Sequence, residues 1–371
     1  MKYIDEFRNG KQAQAMARAI AAEVQPERTY HLMEFCGGHT HTIYRHGITE
    51  LLPDNVQMIH GPGCPVCVLP MGRIDTAIEL ANRPEVIFCS YADMLRVPGS
   101  RRTSLMLARG QGADVRMLYS AMDALKIAQE NPQREVVFFA IGFETTTPPT
   151  AMVVKEAQRL GLSNFSIFCN HVLTPPAMRG ILAQPGVMID GFVGPGHVSV
   201  VIGMHAYEFA AVEYGKPVVI SGFEPLDLMR AIQLLIRQLN EDRAEVENEY
   251  SRAVTESGNE CAQALMADVF EQRSSFEWRG LGAIPQSALK LRQPFAEFDA
   301  EQRFALEPTA VADHKACECA DILRGLKQPQ ECKVFATVCT PDNPLGACMV
   351  SSEGACAAYY TYGRHQERQI S

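Results

Sequence analysis

Residues 136–149 read VVFFAIGFETTTPP, and this stretch indicates the class of fold. The six apolar residues 136–141 are typical of a strand that is buried on both faces of a parallel sheet. The next residues form a loop, and Pro148 and Pro149 are well suited to begin a helix. The stretch therefore predicts a strand, a loop and a helix, which together make one βα unit.

The same pattern recurs between residues 29 and 226, and it predicts a parallel sheet. We expect eight strands, at residues 30–35, 56–60, 86–89, 115–118, 136–141, 165–169, 191–193 and 218–220. A turn-like stretch at 131–134 separates the first four from the last four. This pattern predicts an α/β protein with two similar parallel-sheet lobes, at residues 25–131 and 132–226.

The remaining residues, 1–24 and 227–371, are expected to form a smaller, irregular and mostly helical domain. Residues 226–254 have a long helical pattern with a charged second half, and the alanine-rich segment 6–24 is also predicted to be helical. The opening helix has no strand of its own, so we expect it to pack against the long helix or the tail.

Composition excludes several classes of protein. The chain has 371 residues, of which 47% are hydrophobic and 21% charged, as in a globular protein with more than one domain. A net charge of -9 and a pI of about 5.6 argue against binding to nucleic acid or to an anionic membrane surface. No apolar run approaches the roughly 20 residues that span a bilayer, and residues 1–6 contain no apolar signal core. We therefore expect a cytoplasmic protein.

The chain contains twelve cysteines, which is many for a protein of a reducing compartment. Stable disulfides are disfavoured there, so the excess indicates metal, iron–sulfur or redox chemistry. Six of them lie in the last 55 or so residues: Cys317, Cys319, Cys332, Cys339, Cys348 and Cys356. Cys89, Cys169 and Cys261 stand alone in apolar surroundings, and we assign them no function.

Cys64 and Cys67 form the C-x-x-C motif of the chain, directly after a predicted strand and a Gly-Pro-Gly turn. Such a pair can close a disulfide, hold half a metal site or act as a redox dithiol. No second C-x-x-C exists, which weakens the case for structural zinc. Redox or metal-exchange chemistry is the favoured interpretation.

Residues 36–41 read CGGHTH and place the thiol of Cys36 close to the imidazoles of His39 and His41. Thiolate and imidazole are ligands for iron, zinc or copper, and a catalytic cysteine–histidine pair is an alternative. The simplest alternative is a glycine-rich turn with an incidental thiol.

The last four cysteines are separated by loop-forming sequence rather than by the tight knuckles of zinc ribbons. This spacing suits a [4Fe–4S] cluster, and a zinc site with four cysteines is the main alternative. Spacing alone leaves open which four of the six tail cysteines would bind.

Glu144 could act as a base or bind a cation, while the threonines after it could cap the next helix. For His171 and His197, which also follow predicted strands, a structural role is the expectation.

Four strings, at residues 33–41, 61–67, 142–148 and 339–344, resemble the HypD family of hydrogenase formation proteins, and the resemblance extends over essentially the whole chain. The resemblance implies a redox protein and scaffold on which an iron with two cyanides and one carbon monoxide is assembled for [NiFe] hydrogenase. It implies a HypC-like small chaperone and a HypE-like cyanide donor as partners, and the hydrogenase large subunit as an indirect one.

The resemblance also implies roles for individual residues. Cys36 would bind the Fe(CN)₂(CO) iron together with a cysteine of the HypC-like partner, and Cys64 and Cys67 would be a thiol/disulfide pair. From their own chemistry rather than from the resemblance, His39 and Glu144 are further catalytic candidates. The [4Fe–4S] ligands would be Cys332, Cys339, Cys348 and Cys356, which leaves Cys317 and Cys319 without a role.

The resemblance does not decide whether this scaffold is an enzyme. A stand-alone iron–sulfur thiol/disulfide oxidoreductase is the alternative function, and a protein-interaction scaffold with structural zinc is a third.

Overall fold

The computed structural model describes residues 5–363, and two parallel sheets dominate it. The strands in this part of the chain are β1 (Tyr30–Glu34), β2 (Val56–His60), β3 (Val86–Ser90), β4 (Val115–Met117), β5 (Glu135–Gly142), β6 (Phe165–His171), β7 (Gly191–Pro195), β8 (Val218–Ser221), β9 (Val246–Asn248), β10 (Phe270–Gln272), β11 (Ser275–Trp278), β12 (Gly282–Pro285) and β13 (Leu289–Leu291). The helices are α1 (Gly10–Glu23), α2 (Gly37–His46), α3 (Pro65–Val68), α4 (Met71–Ala81), α5 (Ala92–Leu95), α6 (Leu105–Gly110), α7 (Asp123–Glu130), α8 (Thr147–Leu160), α9 (Thr174–Leu182), α10 (Gly196–Ile202), α11 (Glu208–Tyr214), α12 (Pro225–Asn240), α13 (Glu260–Val269), α14 (Ala300–Arg303), α15 (Cys319–Leu323) and α16 (Ala355–Thr361).

The predicted α/β class is confirmed, and each of the eight expected strands is present within two residues of its expected ends. The first sheet has the order β2-β1-β7-β8-β9 and the second the order β4-β3-β5-β6, with every pair in both sheets parallel. Strands β3, β5 and β6 are mostly apolar and buried along their length, as expected where both faces of a sheet are covered.

The sequential lobes 25–131 and 132–226 require the strands to be divided between the two sheets at residue 131. The structure divides them differently. The chain begins in the first sheet with β1 and β2, builds all of the second sheet with β3 to β6, and then returns to the first. Strand β5 follows the turn at 131–134 but pairs with β3, which precedes it. The apolar pattern predicts that a strand exists but not which strand lies beside it, and this grouping therefore could not be predicted from the sequence.

Helix α1 packs against helix α12, as predicted for the opening segment. Ile20 is fully buried in this contact, and the Arg237 guanidinium donates to both oxygens of Glu23 at 2.7 and 2.8 Å. The helix predicted for residues 226–254 ends at Asn240, however. The charged stretch after it has no apolar stripe to bury, and Asp242 turns the chain with a φ of 50° before β9 joins the first sheet.

The last hundred residues differ from the sheets. Two antiparallel pairs, β10 with β13 and β11 with β12, were not expected from the sequence, because their strands are only three or four residues long. From residue 304 to residue 363 the chain consists mostly of turns and short helices, as predicted for an irregular tail. Across residues 5–363, every helix is too short or too polar to span a lipid bilayer.

Arg73 connects three parts of this architecture from a buried position on α4. Its guanidinium donates to the Cys169 carbonyl oxygen at 2.8 Å, to the side chain of Asn170 on β6 and to Glu301 on α14. It also lies 4.4 Å from the centroid of the Phe168 ring. A buried charge with this many partners is costly to remove, because the partners stay behind without it.

We therefore predict that Arg73→Met lowers the free energy of unfolding by about 3 kcal/mol, because Glu301 and two other acceptors lose a donor. Chemical denaturation followed by circular dichroism measures the change. The control is Arg159→Met, which removes an exposed arginine from α8 and should leave the free energy of unfolding close to that of the wild type. Equal stability of the two variants would contradict the structural role of Arg73.

Candidate functional site

A cavity of about 430 Å³ lies where the carboxyl ends of strands from both sheets meet. Its wall includes Phe35 and Cys36 after β1, Gly63, Pro65 and Val66 after β2, Tyr91 to Met94 after β3, Phe143, Thr145 and Thr146 after β5, His197 after β7, and Ser351 and Glu353 from the tail. Ligands of open α/β sheets bind at this end of the strands. This central cavity is therefore the candidate functional site.

Cys36 lies in the wall of the central cavity, at the residue that precedes α2. Burial, followed by the negative charges of Glu353 and Glu34, raises the pKa of its thiol to about 12. The backbone N–H groups of Gly38 and His39 lower the pKa of this thiol. Neither makes a helix-capping hydrogen bond of normal geometry to the sulfur. The surroundings thus oppose a free thiolate, and a bound cation would offset the nearby negative charge.

Glu34 is a fully buried carboxylate two residues before Cys36. It accepts the Cys36 N–H at 2.8 Å and the Thr40 hydroxyl, and its Oε1 lies 2.8 Å from Nδ1 of His60 on β2. Glu34 lies inside the strand expected at residues 30–35, and the sequence patterns assigned it no role. A charged residue inside an apolar strand, next to a candidate ligand, was the available signal for its role.

The two histidines of the CGGHTH segment do not join Cys36. His39 is buried, its Nε2 lies 3.0 Å from the Gly222 carbonyl oxygen, and its ring stacks on Phe223. Burial lowers the pKa of His39, so the ring is neutral. His41 lies 3.1 Å from the Tyr362 hydroxyl. Within residues 5–363, no hydrogen bond links either imidazole to the Cys36 sulfur. The contacts of His39 with Gly222 and Phe223 instead hold α2 against the loop after β8.

Cys64 and Cys67 are joined by a disulfide across the short helix α3, which is one of the three states that the C-x-x-C motif allows. The preceding Gly63 lies against Cys36, because a Cβ at residue 63 would be 2.4 Å from both the Cys36 N and Cα atoms. Gly37 also donates its N–H to the Gly63 carbonyl oxygen at 3.3 Å. The loop that carries the disulfide is thus held directly against the residue that carries the lone thiol.

Glu144 lies beside the central cavity but does not line it. Its carboxylate accepts the Thr174 N–H at 2.7 Å and the Thr174 hydroxyl at 2.9 Å, which ties the loop after β5 to the start of α9. Burial raises the pKa of Glu144 to about 7. These contacts let Glu144 position the loop after β5 against α9. Its role as a base stays a prediction.

The threonines after Glu144 do not cap α8, which corrects the expectation from sequence. Helix α8 does begin at the two prolines, but Thr146 has helical backbone angles and no side-chain capping bond. The hydroxyls of Thr146 and Thr147 instead donate back to the Phe143 carbonyl oxygen at 3.2 and 3.0 Å. They therefore tighten the loop rather than the helix.

His171, which ends strand β6, and His197, which follows strand β7, differ in their surroundings. His171 is buried and lies 2.9 Å from the Thr150 hydroxyl, in the structural role expected for it. His197 is exposed, lines the central cavity and stacks on Phe223 at 3.7 Å between ring centroids.

The tail thiols gather around Cys319. Its sulfur lies 3.1 Å from that of Cys317, and the Cys356 thiol also hydrogen-bonds with it. The pKa of Cys356 is raised well above its ordinary value by this contact and by burial. Cys348 and Cys339 lie close enough to respond to the same charges. Cys317 and Cys319, which sequence reasoning left without a role, are therefore part of the thiol group.

Cys332 lies at the edge of this group. Lys327 is the main cause of the lowered pKa of Glu318, and the Cys332 thiol also hydrogen-bonds to that carboxylate. Its assignment as a cluster ligand stays a prediction.

The tail thiols fit an iron–sulfur cluster in donor chemistry. The described residues 5–363 contain no three His, Cys, Asp or Glu side chains already arranged as around a bound metal ion. A Cβ at Gly346 would lie 2.4 and 2.6 Å from the sulfurs of Cys317 and Cys319, so only glycine leaves those sulfurs their space. A group of several thiols is typical of iron–sulfur and zinc sites.

The disulfide and the tail are adjacent. The Cys67 sulfur lies 3.9 Å from the carbonyl oxygen of Ala347, the residue before Cys348. The Ser351 hydroxyl donates to Asp93 at 2.9 Å, which fixes the tail to the loop after β3. Cys36, the disulfide and the tail thiols therefore follow one another along a continuous series of contacts.

These features define a class of protein: an α/β protein that sets a lone thiol and a disulfide beside a cysteine-rich tail. The family profile described as "Hydrogenase formation hypA family", HypD, matches residues 11–363. The chain is 64% identical to the hydrogenase maturation factor HypD of Azotobacter vinelandii, over 100% of this chain and 99% of the relative. It is 63% identical to that of Cupriavidus necator, over 99% and 98%, and 48% identical to that of Escherichia coli, over 100% of both. The chain belongs to the HypD family.

Glu144 predicts a pH dependence of stability. Its folded pKa of about 7 lies above the ordinary value of 4.5, so the folded protein binds the proton more tightly than the unfolded chain. Stability is therefore lost as the pH rises from about 4.5 through about 7. Between about pH 5 and about pH 8, the wild type should lose on the order of 2 kcal/mol more unfolding free energy than Glu144→Gln.

Denaturant titrations at the two pH values measure this difference. Glu297→Gln, at an exposed position, is the control and should follow the wild type. A Glu144→Gln variant with the pH dependence of the wild type would show that the carboxyl group is already ionised in the folded protein below neutral pH.

Proposed function

We propose that this protein is the scaffold and redox protein on which the Fe(CN)₂(CO) group of [NiFe] hydrogenase is assembled. As a member of its family it is a hydrogenase maturation factor. One observation carries the finer proposal: Cys36 lies in the wall of a cavity formed by both sheets, in contact with the loop of a disulfide that itself touches the cysteine-rich tail.

Cys36 is the proposed ligand of the iron, which is the substrate of the assembly. Low-spin iron(II) with cyanide and carbon monoxide is well matched by a soft thiolate ligand. The hydrogen bond from the Cys36 N–H to Glu34 fixes the backbone at the sulfur, and α2 directs its N-terminus to the same point. The charges of Glu34 and Glu353, which disfavour the free thiolate, favour a thiolate that holds a cation.

The central cavity also suits the proposed partners. Tyr119 lines it and is 88% exposed, and the exposed side chain of Glu353 lies at its rim. A cysteine of a HypC-like chaperone would reach the iron from this open side, and a HypE-like protein would deliver cyanide there. The hydrogenase large subunit would receive the finished group through the chaperone.

The Cys64–Cys67 disulfide supplies the redox capacity of this chain. Two electrons and two protons convert it into two thiols, and the reverse reaction returns the electrons. The tail thiols would hold a [4Fe–4S] cluster, which when bound exchanges one electron at a time. Four of the six tail cysteines would be its ligands.

A stand-alone thiol/disulfide oxidoreductase is the second candidate, because it also uses the disulfide and the tail. It gives Cys36 no role, although Gly63 holds Cys36 against the disulfide loop. An infrared spectrum of the protein purified anaerobically with a HypC-like partner separates the two functions. Bands of metal-bound cyanide and carbon monoxide support assembly, and their absence from repeated preparations supports the oxidoreductase.

We predict that Cys36→Ala abolishes these infrared bands and the maturation of hydrogenase, because it removes the proposed iron ligand. The acid-labile sulfide content of the variant should equal that of the wild type, since the tail is unchanged, and its iron content should fall only by the iron held at Cys36. Cys261→Ala, at an exposed cysteine on α13, is the control and should retain both bands and maturation. If Cys36→Ala still matures hydrogenase, the proposed ligand is wrong.

We predict separately that Cys339→Ser and Cys356→Ser each lose most of their iron and acid-labile sulfide, because both thiols belong to the buried tail group. Metal and sulfide analysis of anaerobically purified protein measures this. Cys89→Ser removes an equally buried thiol from β3 and should retain both elements. Zinc in place of iron, with no sulfide in the wild type, would overturn the cluster.

A further inference from the structure

A second and larger cavity, of about 970 Å³, lies in the contact between the segment after β3 and the tail. One wall comes from Arg96, from the loop 98–104 and from α6, and the other from residues 312–316 and 338–345. We call it the basic groove, defined by Arg96, Arg102, Lys315, Met106, Leu107 and Val338.

The charge of the basic groove is opposite to that of the whole chain. Arg96, Arg102 and Lys315 are exposed in its lining, in a protein with a net charge of -9. Of the two carboxylates that also line it, Asp313 is paired with Arg279 at 3.1 Å, which leaves Asp342. Within residues 5–363, Arg102 and Lys315 form no ion pair of their own. An acidic partner would therefore meet complementary charge here.

The same groove exposes large apolar side chains. Met106 is 50% exposed, Leu107 is 45% exposed and Val338 is 54% exposed. Exposed apolar residues that are ringed by charge are typical of protein docking sites. The dimensions and the apolar surface thus suit a protein partner rather than a lone ion.

The floor of the basic groove is the outer side of the loop that carries the tail thiols. Leu345 lines the groove and donates its N–H to the Cys339 sulfur at 3.4 Å. The next residue, Gly346, lies against the sulfurs of Cys317 and Cys319. A protein seated in the groove is therefore separated from the tail thiols by a single layer of backbone.

We propose that the basic groove docks a small acidic protein that carries one electron at a time, and that this is where electrons reach the tail. The proposal rests on the proposed function, since it requires a redox centre among the tail thiols. When the tail thiols hold a cluster, that group would accept one electron from the carrier at each encounter, and the carrier would be oxidised by one electron. Two encounters, with two protons from water, open the Cys64–Cys67 disulfide to two thiols.

The test uses a reduced acidic [2Fe–2S] ferredoxin as the probe and the full-length protein as the target. The double variant Arg102→Glu and Lys315→Glu should bind the ferredoxin about tenfold more weakly than the wild type at low salt, with a smaller salt dependence. The matched control is Lys126→Glu and Arg159→Glu, which reverses two exposed cations on α7 and α8 and should bind like the wild type. Calorimetric titration measures the affinities.

Stopped-flow absorbance then separates the two proposals. With the small reductant dithionite, the double variant and the wild type should be reduced at the same rate, whereas ferredoxin should reduce the double variant about tenfold more slowly. Equal binding of ferredoxin to the wild type and the double variant, or no binding, overturns the docking proposal and leaves the tail assignment intact. A wild-type protein that dithionite does not bleach, and that lacks sulfide, overturns the redox centre instead.

Discussion

Gly63 and Cys36 touch backbone to backbone, and the arrangement of the candidate site depends on this contact. A side chain at residue 63 would overlap Cys36, so the loops after β1 and β2 approach each other only because one of them is glycine at this point. The register of the two strands, in which Glu34 lies opposite His60, brings both loops to the same height. The lone thiol is therefore placed against the disulfide loop by sheet geometry rather than by flexible side chains.

The same register also places charge behind the thiol. A buried carboxylate is costly unless donors surround it, and Glu34 has donors from Cys36 and Thr40, together with the His60 ring. The carboxylate orders the start of α2 and, after burial and the charge of Glu353, contributes to the raised pKa of the Cys36 thiol. A site of this kind is poor at keeping an idle thiolate and good at keeping one that is neutralised by a metal ion. The ordering of α2 and the effect on the Cys36 thiol thus both follow from the buried carboxylate of Glu34.

The sequence predicted where the strands lie better than it predicted which strands pair. Strand β2 lies at residues 56–60 as expected, because its apolar run and its flanking turns are local features. The return of β7 and β8 to the first sheet depends on long-range packing, which no local pattern records. The same holds for the site: the C-x-x-C and CGGHTH motifs are visible as strings, whereas the contact of Cys319 with Cys317 and Cys356 requires an irregular tail to fold back. Glu34 was missed, although a charged residue inside an apolar strand was a local signal for it.

The chain order of the tail explains why the two cavities can serve one process. Residues 338–345 form the floor of the basic groove, Gly346 lies against two sulfurs, Ala347 meets the Cys67 sulfur, and Ser351 and Glu353 line the central cavity. Sixteen residues of backbone therefore pass from one cavity to the other, by way of the thiols and the disulfide. Gly37 on α2 packs against Glu353, so the end of this segment contacts the residue next to Cys36. The two cavities thus share no lining residue and lie at opposite ends of one segment.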